Sequence, residues 1–356
     1  MRIGIPREIK TLEGRVALIP DACADLVEAG HEVLLERDAG TRAGYPDDQY
    51  RRAGVKVVDD AATLYGEAQL LLKVKEPVEG DLALLRKDHT LFCYLHLAAN
   101  AELTRQLREI GLTAVAFETV EESDGRLPLL APMSDIAGRL SVQVGTHLLH
   151  QPEGGRGILL GGMPAAERGH VVIIGAGVAG GNAAAVAAAL GAQVTVFDRK
   201  REKLAAMQAL GPNVTALYPY AHAIDKAVRQ ADMVVGAVLV VGQRAPHVVS
   251  ADLVRSMAAG SVVVDISVDQ GGCIETTRPT TYDAPTYVWE DVVHFTVTNM
   301  PGAVPRTAVQ ALSAALLPYV VQMAEGESWT RHEALRRGLN IQDGRIVHPG
   351  VAASLG

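Results

Sequence analysis

The chain is short of aromatic residues, cysteine and positive charge, and each shortage narrows what it can do. Aromatic side chains make up 4% of its 356 residues, so stacking platforms for single-stranded nucleic acid are scarce. The formal net charge is −8, which leaves no basic excess to neutralise phosphates, and no nucleic-acid partner is expected. The three cysteines, Cys23, Cys93 and Cys273, are far apart. They form no C-x-x-C or zinc spacing and read as small buried hydrophobes. The N-terminus, MRIGIPREIK, lacks a basic stretch followed by an apolar one, so a cytoplasmic protein is expected.

Hydrophobic residues (48%) and glycines (35) are plentiful, which suits an α/β protein with many tight turns. Residues 171–197 carry no charge and run straight into Asp198. Gly175, Gly177 and Gly180 stand in G-x-G-x-x-G spacing between a four-residue apolar run and an alanine-rich stretch. This reads as a strand, a helix and a second strand that bind a dinucleotide. Gly175 makes the turn, Gly177 admits the pyrophosphate to the backbone, Gly180 lets helix and strand pack, and Asp198 meets a ribose diol. A membrane helix with a GxxxG face is the rival reading. It is disfavoured because the glycines cluster at one end and Gly191 breaks the run before a β-branched strand. A methyltransferase also uses a glycine-rich first turn and an acidic second strand, and the motif alone leaves that alternative open.

Ahead of this motif, the segments RIGIP, HEVLLE, KVVD, LLLKVK, TLFCYLH and TAVAFE read as strands with amphipathic segments between them. After it come NVTALY, DMVVGAVLV and SVVVDISVD. Strands alternating with helices imply parallel sheets. A long helix is expected from about Ser134, with Ser134 as N-cap, and a further amphipathic helix from about Thr307 to Met323. The tail beyond reads as another helix and a short extended end. The expectation is an α/β chain of two Rossmann-like, doubly wound domains with a cleft between them. The substrate domain comprises 1–128 plus 307–356 and is therefore discontinuous; the NAD-binding domain comprises 129–306.

Ligands bind outside the carboxyl ends of strands in such sheets. Four residues stand at those ends: Arg15, Lys75, His96 and Asp269. Each has a plainer reading, as a surface ion pair, a solvated strand end, a structural histidine or a turn-former. Together they supply what a dehydrogenase needs: a cation for a substrate carboxylate, an acid/base and an electrostatic stabiliser. Asp135, Arg139 and Arg306 also lie near turns, and pattern does not rank them.

These residues sit in the strings MRIGIPREIKTLEGRVALIP, LLLKVKEP, YLHLA, PLLAPMSDIAGR, VVIIGAGVAG, VDISVDQGG and VTNMPGAVPRTA. In order and over nearly the whole chain, they resemble the alanine dehydrogenases, whose wider relatives include the soluble NAD-binding part of transhydrogenase. The resemblance implies NAD-dependent interconversion of L-alanine with pyruvate and ammonia by a homohexamer, without a membrane partner. It implies that Arg15 and Lys75 hold the substrate carboxylate and carbonyl, and that Met133 and Asn299 line the site. His96 would be the acid/base with Asp269 beside it, and Ser134, Asp198 and the turn Gly175–Gly177–Gly180 would hold NAD. The connector GGMPAAERGHVV departs from the family pattern. A non-catalytic NAD-binding sensor would have no need of the four strand-end residues together. A transhydrogenase subunit would couple to a membrane partner and to NADP.

Overall fold

The computed structural model describes residues 1–238 and 245–355. Fifteen strands are present among them. β1 (Arg2–Ile5), β2 (Glu32–Glu36), β3 (Lys56–Val58), β4 (Leu70–Leu72), β5 (Thr90–Cys93) and β6 (Thr113–Ala116) come first. β7 (His170–Ile174), β8 (Gln193–Phe197), β9 (Val214–Leu217), β10 (Met233–Gly236), β11 (Val262–Asp265), β12 (Thr286–Trp289) and β13 (Val292–Phe295) follow. β14 (Leu339–Gln342) and β15 (Arg345–Ile346) lie near the end of the chain. The chain divides into two units, residues 1–133 with 302 onward, and residues 134–301. The first division falls within the helix Ala131–Leu148.

In unit 1 the sheet order is β15-β14-β6-β5-β4-β1-β2-β3. All pairs from β3 through to β6 are parallel. The chain therefore winds outward from β1 in one direction, then returns to β4 and winds in the other, which leaves a topological switch point between β1 and β4. Leu34, Leu71, Leu91, Cys93 and Ala114 share one buried cluster with the helices on that face. Their neighbours Val33, Leu35, Leu70, Leu72, Phe92 and Val115 are also buried. Burial at every position, with a period of two between faces, is what a parallel sheet covered on both sides demands. The helix Ala101–Ile110 starts where Asn100 accepts from the Leu103 N–H and stops at left-handed Gly111, a standard start and stop signal. The helix Pro305–Ala324 is long and apolar enough to cross a membrane by length and composition. Here it is a core helix of unit 1, with Val309, Leu312, Leu316 and Val320 fully buried.

In unit 2 the order is β12-β13-β11-β10-β7-β8-β9, the same winding with its switch point between β7 and β10. Val171, Ile173, Val194, Val196, Met233 and Val235 pack on one face. Val172, Ile174, Phe197 and Val234 pack on the other.

The structure corrects several expectations. Ser134 is not an N-cap: the helix begins at Ala131 and Ser134 lies inside its first turn. Pro132 explains the earlier start, because a first-turn residue needs no N–H. The strand expected across LLLKVK stops at Leu72, and Lys73 and Lys75 lie beyond it. The tail is not merely helix and extended end. It forms the antiparallel pair β14–β15, and β14 joins β6 antiparallel. The antiparallel hairpin β12–β13 was not expected either. Of the run DMVVGAVLV, Leu239 and Val240 lie outside the described residues.

Candidate active site

In unit 1 the register carries the chemistry. β4 and β5 pair Leu72 with Phe92, and β5 and β6 pair Cys93 with Ala116. Beyond the strands the pairing continues, with Lys73 N–H donating to Phe92 O and Tyr94 N–H to Val74 O. Lys75, His96 and Glu118 thus emerge from adjacent strand ends, and Arg15 follows β1 beside them in strand order.

Arg15 is fully buried with Glu13. Its Nε donates to Glu13 Oε1 at 2.7 Å and its Nη2 to Oε2 at 2.5 Å, while Nη1 reaches Met133 Sδ at 3.2 Å. Burial alone would raise the Glu13 pKa; the hydrogen bond and charge of Arg15, with Lys75 adding to them, hold it down at about 2. The pair is therefore ionised, as a buried bidentate pair must be to hold.

The second buried acid is Glu8. Its Oε1 accepts from the N–H groups of Val74 at 2.6 Å and Lys75 at 3.3 Å, and its Oε2 lies 3.2 Å from the Lys73 ammonium. Lys73 is fully buried and also pairs with Asp81, which accepts from the Tyr65 hydroxyl. Lys73 is thus a structural counter-charge, and Lys75, half-buried, is the lysine presented at the strand ends.

His96 has left-handed backbone angles, φ +49° and ψ +39°. Its N–H donates to Glu118 Oε1 at 2.6 Å, and Leu95 N–H donates to the same carboxylate. The imidazole stacks parallel to the Tyr94 ring at 6.0 Å between centroids, and the Tyr94 hydroxyl donates to Leu129 O.

In unit 2 the glycine turn has the geometry its spacing implies. Gly175 has φ +102°, which only glycine adopts readily, and a Cβ on Gly180 would lie 1.8 Å from Gly175 O. A Cβ on Gly177 would meet nothing within 4 Å. Gly177 is the N-cap of the helix Val178–Ala189 and makes no side-chain cap hydrogen bond, so the first-turn N–H groups keep a positive end for an anion. That open cradle fits a dinucleotide pyrophosphate. Asp198, at the end of β8, accepts from Ala176 N–H at 2.8 Å and Lys200 N–H at 2.9 Å, with Lys203 Nζ 3.7 Å away. The carboxylate thereby ties the second strand to the turn.

Asp269 is exposed in the short 3₁₀ turn after β11 and accepts from Asn299 N–H at 3.4 Å. Those two predicted residues come together. β11 and β8 are three strand spacings apart, roughly 14 Å, so Asp269 and Asp198 serve different ends of the sheet. Ser134 is half-buried on the helix Ala131–Leu148.

Of the unranked residues, Asp135 accepts from Asn182 of the glycine-turn helix. Arg306 stacks on Tyr45 and donates to Gly44 O. Sequence reasoning missed Glu8, Glu13 and Glu118. Glu13 stands two residues before Arg15, and that spacing was the available signal. Glu8 and Glu118 are far in sequence from the groups they hold.

Residues 4–137 match the family model described as alanine dehydrogenase/PNT, N-terminal domain. Residues 141–349 match alanine dehydrogenase/PNT, C-terminal domain. The chain is 46% identical over 360 residues to an alanine dehydrogenase of Mycolicibacterium smegmatis, covering all of this chain and 97% of that one. It is 47% identical over 363 residues to that of Geobacillus stearothermophilus, covering 99% and 96%. A solved L-alanine dehydrogenase superposes with a TM-score of 0.95 at 51% identity over 99% of both chains. A transhydrogenase from Sinorhizobium meliloti gives 0.84 at 25% identity, covering 98% and 99%. With both domain models matched in order and relatives aligned end to end, the chain belongs to the alanine dehydrogenase/PNT family.

Proposed function

We propose that the chain is an oxidoreductase that interconverts L-alanine with pyruvate and ammonia, using NAD. The observation that carries this reading is the convergence of Arg15, Lys75 and His96 at adjacent strand ends of unit 1, in a chain whose other unit holds the glycine turn and Asp198. Glu13 occupies the Nε–Nη2 edge of Arg15. The substrate carboxylate is assigned to the Arg15 guanidinium, beside which Met133 supplies an apolar wall for the methyl group. Lys75 stabilises negative charge that develops on the carbonyl oxygen. His96 takes the proton from the attacking water and returns it, a role an imidazole fills because one ring nitrogen can accept a proton while the other donates. Asp269 is assigned the second proton-handling role and Asn299, beside it, substrate contact. Ser134, Asp198 and the turn Gly175–Gly177–Gly180 are the residues that would hold NAD. The nicotinamide, when bound, supplies the hydride acceptor and donor.

The test is NADH absorbance with purified protein, NAD and a panel of amino acids. L-alanine is expected to be the best substrate, with 2-aminobutyrate slower because one methylene is worth about 1–3 kcal/mol. His96→Ala is expected to lower kcat about 10²–10⁴-fold while NAD affinity, read by fluorescence, is unchanged. No activity with L-alanine, or NADP used as well as NAD, would overturn the reading. A cytoplasmic homohexamer is part of the same proposal, and light scattering at six chain masses is the expected result.

A further inference from the structure

The role proposed for His96 requires its imidazole to be held still, yet its backbone lies in a region that non-glycine residues seldom occupy. A histidine there persists only where its surroundings fix it. Three contacts do so, all from one carboxylate. Glu118 accepts the Leu95 N–H at 3.3 and 3.2 Å and the His96 N–H at 2.6 Å, and its Oε1 lies 4.0 Å from His96 Nδ1. Glu118 sits in the 3₁₀ turn Phe117–Thr119 that follows β6, one strand over from His96 in the parallel sheet. Its side chain is largely buried, so its position is set by the sheet and not by solvent. Tyr94, whose ring lies parallel to the imidazole, closes another side.

We propose that Glu118 is a positioning residue for the reaction: it holds the Leu95–His96 main chain in its left-handed turn, so that the imidazole projects from the end of β5 with Nδ1 toward Glu118 and Nε2 left for substrate. Glu118 does not itself touch the reacting atoms. The proposal rests on His96 as acid/base, and the experiment separates the two.

Kinetics of His96→Ala, Glu118→Leu, Glu118→Gln and Glu118→Asp in the full chain, with L-alanine and NAD, provide the test. Leu keeps the size and removes every acceptor. Gln keeps an oxygen at the same reach. Asp keeps the charge but withdraws the oxygens by one methylene. The expected result is a kcat loss of about tenfold or more for Leu, with KM for L-alanine and NAD affinity near wild type, because Arg15 and the glycine turn are untouched. Gln is expected to restore kcat to within about fivefold of wild type, because a neutral amide oxygen still accepts both N–H groups. In a His96→Ala background, adding Glu118→Leu is expected to have no further effect on residual turnover, since coupled residues are not additive. If Glu118→Leu does not fold, Glu118→Asp decides, with the same loss expected. Wild-type kcat in Leu or Asp while His96→Ala is inactive overturns the positioning role alone. Wild-type kcat in His96→Ala overturns the assignment of His96 and this proposal with it. Equal losses in KM, NAD affinity and kcat across all three Glu118 variants mark a merely structural residue and also overturn it.

Discussion

Asp198 uses its two oxygens on the protein's own main chain, one on the glycine turn and one on Lys200. In the proposed NAD site a ribose diol would share those oxygens, and a 2′-phosphate would meet a carboxylate at the same place. Asp198→Ala is expected to lower kcat/KM for NAD by roughly tenfold or more and to raise the NADP-to-NAD ratio. Arg199, Lys200 and Arg201 stand ready to accept a phosphate. An unchanged ratio would remove Asp198 from cofactor selection. Glu13 gives a second prediction. Its carboxyl titrates near 4.5 in the unfolded chain and near 2 in the fold. A depressed folded pKa stabilises the fold fully above pH 4.5, and that contribution is lost as pH falls toward 2. Denaturant midpoints are expected to drop between pH 5 and pH 3. Glu13→Ala is expected to cost about 3–5 kcal/mol at pH 7, because it leaves Arg15 buried and unpaired, and to flatten that drop.

At the scale of elements, Gly177 and Gly180 separate fold from function. A methyl group on Gly180 would collide with main chain at 1.8 Å, whereas one on Gly177 enters open space. Gly180→Ala is expected to lower thermal stability. Gly177→Ala is expected to leave stability unchanged and to weaken NAD binding roughly tenfold, since the methyl fills the phosphate cradle. Calorimetry and a binding titration distinguish them, and a Gly177→Ala protein that binds NAD normally would move the phosphate elsewhere. The parallel strands and this turn were legible because their signals are local: apolar runs, a glycine spacing, an acid at a strand end. Ser134 was misplaced because a serine before an apolar run mimics a cap, although Pro132 already marked the first turn. The hairpin β12–β13 was missed because its two-residue turn is Glu290–Asp291, both left-handed, in place of the usual Asn-Gly or Asp-Gly signal, and the tail strands because β14 pairs with the distant β6. Glu8 and Glu118 escaped because what makes them matter is register between strands, which no window along the sequence contains, whereas the Glu13–Arg15 spacing was local and went unread.

For the whole molecule, each unit has its own sheet and its own buried clusters, but only unit 2 is continuous in sequence. A fragment spanning residues 131–301 is expected to fold and bind NADH, seen as a fluorescence change, without oxidising L-alanine. Failure of the soluble fragment to bind would show that the nucleotide site needs residues from the rest of the chain. The position of β14 has a consequence in time. β6 ends at Ala116, and the strand that covers its free side begins at Leu339. At about 5–20 residues per second, a ribosome takes roughly ten to forty-five seconds to cross that interval. Throughout it, the open edge of β6 is a template for pairing with another nascent chain, so chaperone demand during synthesis should peak before the last residues emerge.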